Sequence, residues 1–79
     1  MSAYHSIPCI DHERLEFAVL RRQKLRASLR DAHGSAQEET ILPIDVNTRE
    51  GAEWLTYRNE AGEEQVVRLD FIIRFAPVT

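Results

Sequence analysis

Two hydrophobic periods divide this chain. From about His12 to about Gln23 the apolar residues fall at helical spacing. At about 100° per residue, Leu15, Ala18 and Val19 share one face. Phe17 and Leu20 fall on a different side, near Glu13 and Glu16. One apolar face suffices to dock a helix on a sheet. The second patch is surplus. Asp11 is the expected N-cap, with Glu13 in the first turn favourable to the helix dipole. Arg14 stands where a capping box would need Glu or Gln. Residues 1–10 read as an irregular leader containing Pro8 and the single Cys9.

From Lys24 the period becomes two. Leu25, Ala27 and Leu29 alternate with Lys24, Arg26, Ser28 and Arg30, predicting a half-buried strand with a basic outer face. Asp31 to Ser35 reads as a turn. Thr40, Leu42, Ile44 and Val46 alternate again. Pro43 interrupts them and implies an edge strand or a bulge, because proline cannot donate to a ladder. Asn47 to Gly51 reads as a second turn. Glu53 to Arg58 is a third strand rich in β-formers. Asn59 to Gly62 forms a hairpin loop, Gln65 to Asp70 a fourth strand, and Phe71 to Phe75 a fifth before Pro77. The expected fold is therefore α+β and mainly β. A helix over about 12–23 precedes five antiparallel strands within 24–76, forming a small barrel or strongly bent sheet. The helix covers one open end or face. No repeat or linker suggests a second domain, so residues 1–79 form one unit.

Size adds a constraint. A domain of 79 residues buries only about 60% of its unfolded surface, so its stability is small. The lone Cys9 excludes an intrachain disulfide and suits a reducing compartment. No apolar run approaches the roughly 18 residues of a membrane span, and the N-terminus lacks a signal-peptide pattern. A cytoplasmic location is expected.

The net charge is −3, unevenly distributed. Asp11, Glu13 and Glu16 outweigh Arg14 in the first stretch. Arg21, Arg22, Lys24, Arg26 and Arg30 then follow with no acid among them. The remainder is acidic. Nucleic-acid binders are usually net basic, because phosphate contacts supply most of their affinity. Here the overall field repels a polyanion, although the basic block remains a local candidate for RNA. The simpler reading pairs that block with Glu residues on a neighbouring strand. Trp54 suits either a stacking platform for a base or a core position, and the core is preferred.

Nothing in the chain resembles a catalytic constellation. There is no P-loop, dinucleotide-binding glycine pattern or nucleophile elbow. Glu13 and Glu16 lie one helical turn apart without a nucleophile beside them. His5, Cys9 and His12 do not follow zinc-ligand spacing. Cys9 is expected to be a small apolar residue tucked against the sheet, and His33 to be solvated in its turn. A binding module without enzymatic activity or cofactor is expected.

Several residues in order resemble the Rho-binding antiterminators, the Rof (YaeO) proteins. They begin with Tyr4-x-x-Ile7-x-Cys9-x-Asp11-x-x-x-Leu15-Glu16-x-Ala18. Asp45, Arg49, Glu53-Trp54-Leu55, Ala61-Gly62-Glu63 and Arg68-Leu69-Asp70-x-Ile72-x-x-Phe75 follow. The resemblance covers nearly the whole chain. It implies an Sm-like fold and inhibition of Rho-dependent transcription termination. It implies that the partner is the termination factor Rho, whose primary RNA-binding site the protein covers. On that resemblance and the surplus patch together, Tyr4, Asp11, Glu13, Glu16, Phe17 and Leu20 are the expected contact residues. The rival expectation is a direct RNA-binding Sm-like module using the basic first strand and Trp54. Departures from the family pattern fall in the leader and helix start. Ile10 stands where relatives have a second acid beside Asp11, Ser6 replaces an expected proline, and the aromatic usual near His12 is absent.

Overall fold

The structure, a computed structural model, describes residues 7–31 and 33–78. Helix α1 (Cys9–Arg21) precedes strands β1 (Leu25–Arg30), β2 (Ala36–Arg49), β3 (Ala52–Arg58), β4 (Glu64–Arg68) and β5 (Ile72–Pro77), with a 3-10 turn at Leu69–Phe71 before β5. All pairings are antiparallel, in the order β4-β3-β2-β1-β5. The architecture is one helix on a mainly β, five-stranded sheet, as expected. The sheet is open: β4 and β5 are its two edges and do not pair with each other. Among the described residues, no helix is long and apolar enough to cross a membrane.

The helix starts earlier than the sequence suggests. Pro8 is its N-cap, and the Pro8 carbonyl accepts hydrogen bonds from the backbone N–H groups of Asp11 at 3.0 Å and His12 at 3.1 Å. Proline has a fixed φ and no N–H to satisfy, so it suits the boundary. Asp11 therefore sits inside the first turn and acts on the helix dipole instead of capping it. The helix also ends sooner. Arg22 adopts the left-handed conformation, and the Gln23 N–H reaches the Ala18 carbonyl at 2.9 Å. That bond closes a Schellman-type end, usually built on glycine.

Strand β1 follows its predicted alternation: Leu25, Ala27 and Leu29 are buried, and Arg26 and Arg30 are exposed. Ser28 is the exception among the expected outer residues, being buried. Its register partners are Glu38 on β2 and Arg74 on β5, and these two bridge at 3.4 Å. Two long side chains meet across the small serine.

Strand β2 is far longer than its hydrophobic pattern suggested. Gln37 to Glu39 are polar, yet they pair with Leu29, Ser28 and Ala27. The other end also extends, so Asn47 to Arg49 belong to the strand and only Glu50 and Gly51 form the turn. Both have positive φ, 52° and 75°. Two consecutive positive φ values define the tight hairpin turn that matches strand twist, and glycine fits its second position. The strand changes neighbours midway: its first half pairs with β1 as far as Ile41, its second with β3 from Leu42. Of the two outcomes Pro43 implied, an edge strand or a bulge, the bulge is found: β2 is central in the sheet, and register shifts between Pro43 and Asp45. The bulge also changes the phase of burial. Ile41 and Pro43 are buried in the first half instead of Leu42 and Ile44, whereas Val46, beyond the bulge, packs against the core.

The core joins Leu15 and Ala18 of α1 to Leu25, Ala27, Leu29, Ile41, Leu55, Tyr57 and Leu69. The helix packs mainly against β2. Two loops are locked by their first residue. The Asp31 carboxylate accepts from the N–H groups of His33 at 2.8 Å and Ser35 at 2.9 Å. The Asn59 side-chain oxygen accepts from the Glu63 N–H at 2.9 Å. Such side-chain bonds replace missing ladder bonds at turns.

Candidate functional site

The outward side of α1 is the first candidate surface. Burying Leu15 and Ala18 turns the opposite side of the helix to solvent. Phe17 is 56% exposed and Leu20 79% exposed. Glu13 lies one turn from Phe17 on that side, and Glu16 flanks it; both are exposed. The structure thus brings together Glu13, Glu16, Phe17 and Leu20. It adds Ile10, 67% exposed and two turns before Phe17. In the sequence, Ile10 stands out only as a missing charge. Placing the helix start at His12 concealed its position on the wheel.

The other two expected contact residues stand apart. Asp11 lies toward the sheet-facing flank and pairs with Arg14 at 3.2 Å. Tyr4 lies outside the described residues, as does His5. Cys9 is exposed rather than tucked against the sheet. It begins the helix, and Ile7 packs on the core in its place.

The helix is fixed to the sheet from both flanks. On one, His12 lies between two carboxylates: Nδ1 is 3.1 Å from Glu16 and Nε2 is 2.5 Å from Glu53 on β3. On the other, the Arg14 guanidinium lies 4.5 Å from the centroid of the Phe75 ring and donates to the Phe75 carbonyl at 3.2 Å. These contacts hold the outward face at a set angle to the sheet. The contacts to Glu53 and Phe75 are not visible in the sequence, because each joins residues distant along the chain.

A second surface lies around Trp54. A groove of about 380 Å³ is lined by Trp54, Tyr57, Phe71, Arg30 and Arg68, among others. Its charges are mixed, because Asp31 and Glu39 also line it. Burial, followed by the nearby Glu39 carboxylate, pushes the Tyr57 phenol above its ordinary range. Trp54 is partly buried, and its indole N–H donates to the Arg49 carbonyl at 3.2 Å. The Arg49 guanidinium lies 4.9 Å from the centre of the indole. One face of the ring is therefore already occupied by a cation. Arg68 is held by Asp70 through bonds of 2.6 and 2.9 Å.

The basic block does not form one stripe. Arg21 and Arg22 end the helix, Arg26 donates to Thr40, and Arg30 sits at the Trp54 groove. The expected pairing of β1 arginines with β2 glutamates is replaced by the Arg74–Glu38 bridge from β5. Among the described residues, no group of three His, Cys, Asp or Glu side chains is placed to hold a metal ion.

No protein-family model and no curated protein match this chain. Among solved structures it is similar to proteasome accessory factor B/C (PafBC) of Arthrobacter aurescens, with a TM-score of 0.81 at 14% sequence identity. The match covers 96% of this chain but 12% of that protein. At this identity the likeness shows the fold alone.

Proposed function

We propose that this chain is a protein-binding module that occupies the primary RNA-binding site of the transcription termination factor Rho and so inhibits termination. The observation that carries the reading is the outward face of α1. Phe17 and Leu20 are exposed there beside Glu13 and Glu16. A groove that reads pyrimidine RNA is basic and aromatic. Carboxylates on a helix pair with its cations, while Phe17 and Leu20 anchor between them. RNA is excluded by competition. In this reading the open sheet is an Sm-like frame whose task is to hold the helix. The module works as a cytoplasmic monomer, needs no cofactor and catalyses nothing. The resemblance to the Rho-binding antiterminators names the partner.

The test is displacement of a fluorescent oligocytidine from purified Rho. The chain is expected to release the RNA, with the effect weakening as salt rises. Glu13→Lys with Glu16→Lys should raise the required concentration by at least about tenfold, by reversing two steering charges. Oligocytidine that stays on Rho in excess protein would falsify the reading. Tight binding of the oligocytidine by this chain alone would favour direct RNA binding. The Arg49 cap on Trp54 and the dispersed arginines weigh against that outcome.

A further inference from the structure

A groove of about 320 Å³ runs between α1 and β5. Its floor is apolar, formed by Ala18, Leu25, Phe75 and Pro77, with Phe17 as one wall. Ala18 and Leu25 belong to the packed core, so the floor is rigid. Among the described residues, the ionisable groups that line it are Arg14 and Arg21, and no acid does. This contrasts with a chain of net charge −3.

The two arginines differ. Arg14 is committed to Asp11, the Phe75 ring and the Phe75 carbonyl. Arg21 lies 5.7 Å from the centre of the Phe17 ring and has no ion-pair partner among the described residues. It stands in the last turn of the helix, where the helix dipole favours a cation. Exposed Arg22 and Lys24 follow it and strengthen the local positive field. Gln23 cannot serve as a free donor, because its amide already bonds the carbonyls of Lys24 and Val78.

We infer that this groove is a second recognition site, which takes a peptide segment carrying a bulky apolar side chain next to an Asp or Glu. The apolar side chain enters between Phe17 and Phe75 and covers Ala18 and Leu25. The adjacent carboxylate meets the guanidinium fork of Arg21, whose geometry suits a bidentate bond. Charge complementarity selects the occupant: a groove whose charged lining, among the described residues, is two arginines in an acidic protein discriminates against neutral and basic segments. A nucleic acid is a poorer fit. The groove is short, and the net negative charge of the chain opposes a polyanion beyond it. The inference does not depend on Rho, since the site lies on the flank of α1 and shares only Phe17 with the outward face.

The test is an amide-resolved NMR titration of the full chain, without Rho, using the peptides acetyl-Gly-Phe-Asp-Gly-amide and acetyl-Gly-Phe-Asn-Gly-amide. The Asp peptide is expected to give saturable shifts at Ala18, Leu25 and Phe75, with a dissociation constant of about 1 mM for so small a ligand. The Asn peptide should bind about fivefold more weakly, the value of one half-exposed ion pair. Arg21→Gln changes an exposed side chain and keeps the fold, and it should remove the preference for Asp. Equal affinity for the two peptides, a preference that survives Arg21→Gln, or saturable shifts around Trp54 in place of the groove would each overturn the inference. So would the absence of saturable shifts at ~10 mM peptide.

Discussion

Leu15 and Leu20 occupy the same helix and have the same side chain, yet one is fully buried and the other is 79% exposed. Leu15 meets a core drawn from β1, β2, β3 and the 3-10 turn. Leu20 meets solvent, in company with Phe17 and Ile10. A helix needs one apolar stripe to bind its sheet. Hydrophobicity on the far side adds nothing to that docking and carries a cost in solubility. The inner side of α1 is thus explained by the fold, and the outer side is not; the proposed docking is what would use it.

The sharpest test of this contrast is truncation at each leucine. Leu15→Ala leaves a cavity in the packed core and is expected to cost about 2–5 kcal/mol. In a domain of this size that approaches the whole stability. Urea titration followed by circular dichroism would read it as a large fall in the unfolding midpoint. A loss under about 1 kcal/mol would mean that the inner face is not the anchor.

His12 links the two sides, since it touches Glu16 on the helix and Glu53 on β3. His12→Ala is expected to cost about 1 kcal/mol through the lost bond to Glu53. Glu53→Gln should lower stability too, and the double variant should lose less than the sum of the singles. Additive losses in that cycle would show that the pair contributes nothing to holding α1.

The core also contains a polar group, and pH probes it. Tyr57 holds its phenolic proton more tightly in the folded chain than in the unfolded one, first because it is buried and then because Glu39 is near. Below the ordinary phenol pKa of about 10, both states are protonated and this contribution is complete. As pH rises past that value the unfolded chain ionises first, so stability falls. Tyr57→Phe should flatten that alkaline decline, and Glu39→Gln should soften it. An unchanged slope in Tyr57→Phe would place the titration elsewhere.

Much of the contrast can be read along the chain. Helical spacing separates Leu15 and Ala18 from Phe17 and Leu20, and period-two spacing gives the buried side of β1. The features set by tertiary partners are not legible in the same way. Gln37 to Glu39 look like loop residues, and they become strand only because β1 offers them a ladder. The buried phase of β2 runs through Ile41 and Pro43, and a bulge moves it to Val46. Pro43 implies an edge strand or a bulge without choosing between them, and the effect on phase depends on where the extra residue is absorbed. At the helix start, a side-chain cap at Asp11 was the obvious local choice, and the Pro8 carbonyl took that role. That shift brought Ile10 into the helix and enlarged the outward patch. The groove beside Arg21 needed β5 folded against α1, which no local pattern encodes.

The smallest stability effect is the most informative about the outer side. Phe17→Ser combined with Leu20→Ser removes two exposed apolar side chains while Leu15 and Ala18 stay packed. Thermal unfolding should shift little, with a stability change within about 0.5 kcal/mol, because neither side chain contributes to the core. Helix propensity sets that small residual, since serine is slightly poorer than leucine in a helix. Displacement of oligocytidine from Rho should nevertheless be lost or weakened more than tenfold, because apolar anchors carry most of the energy of such contacts. The two measurements must therefore diverge. If stability fell by several kcal/mol, the outer side chains would belong to the fold after all, and the contrast between Leu15 and Leu20 would disappear. If stability held and displacement were also unchanged, the exposed patch would have a different partner.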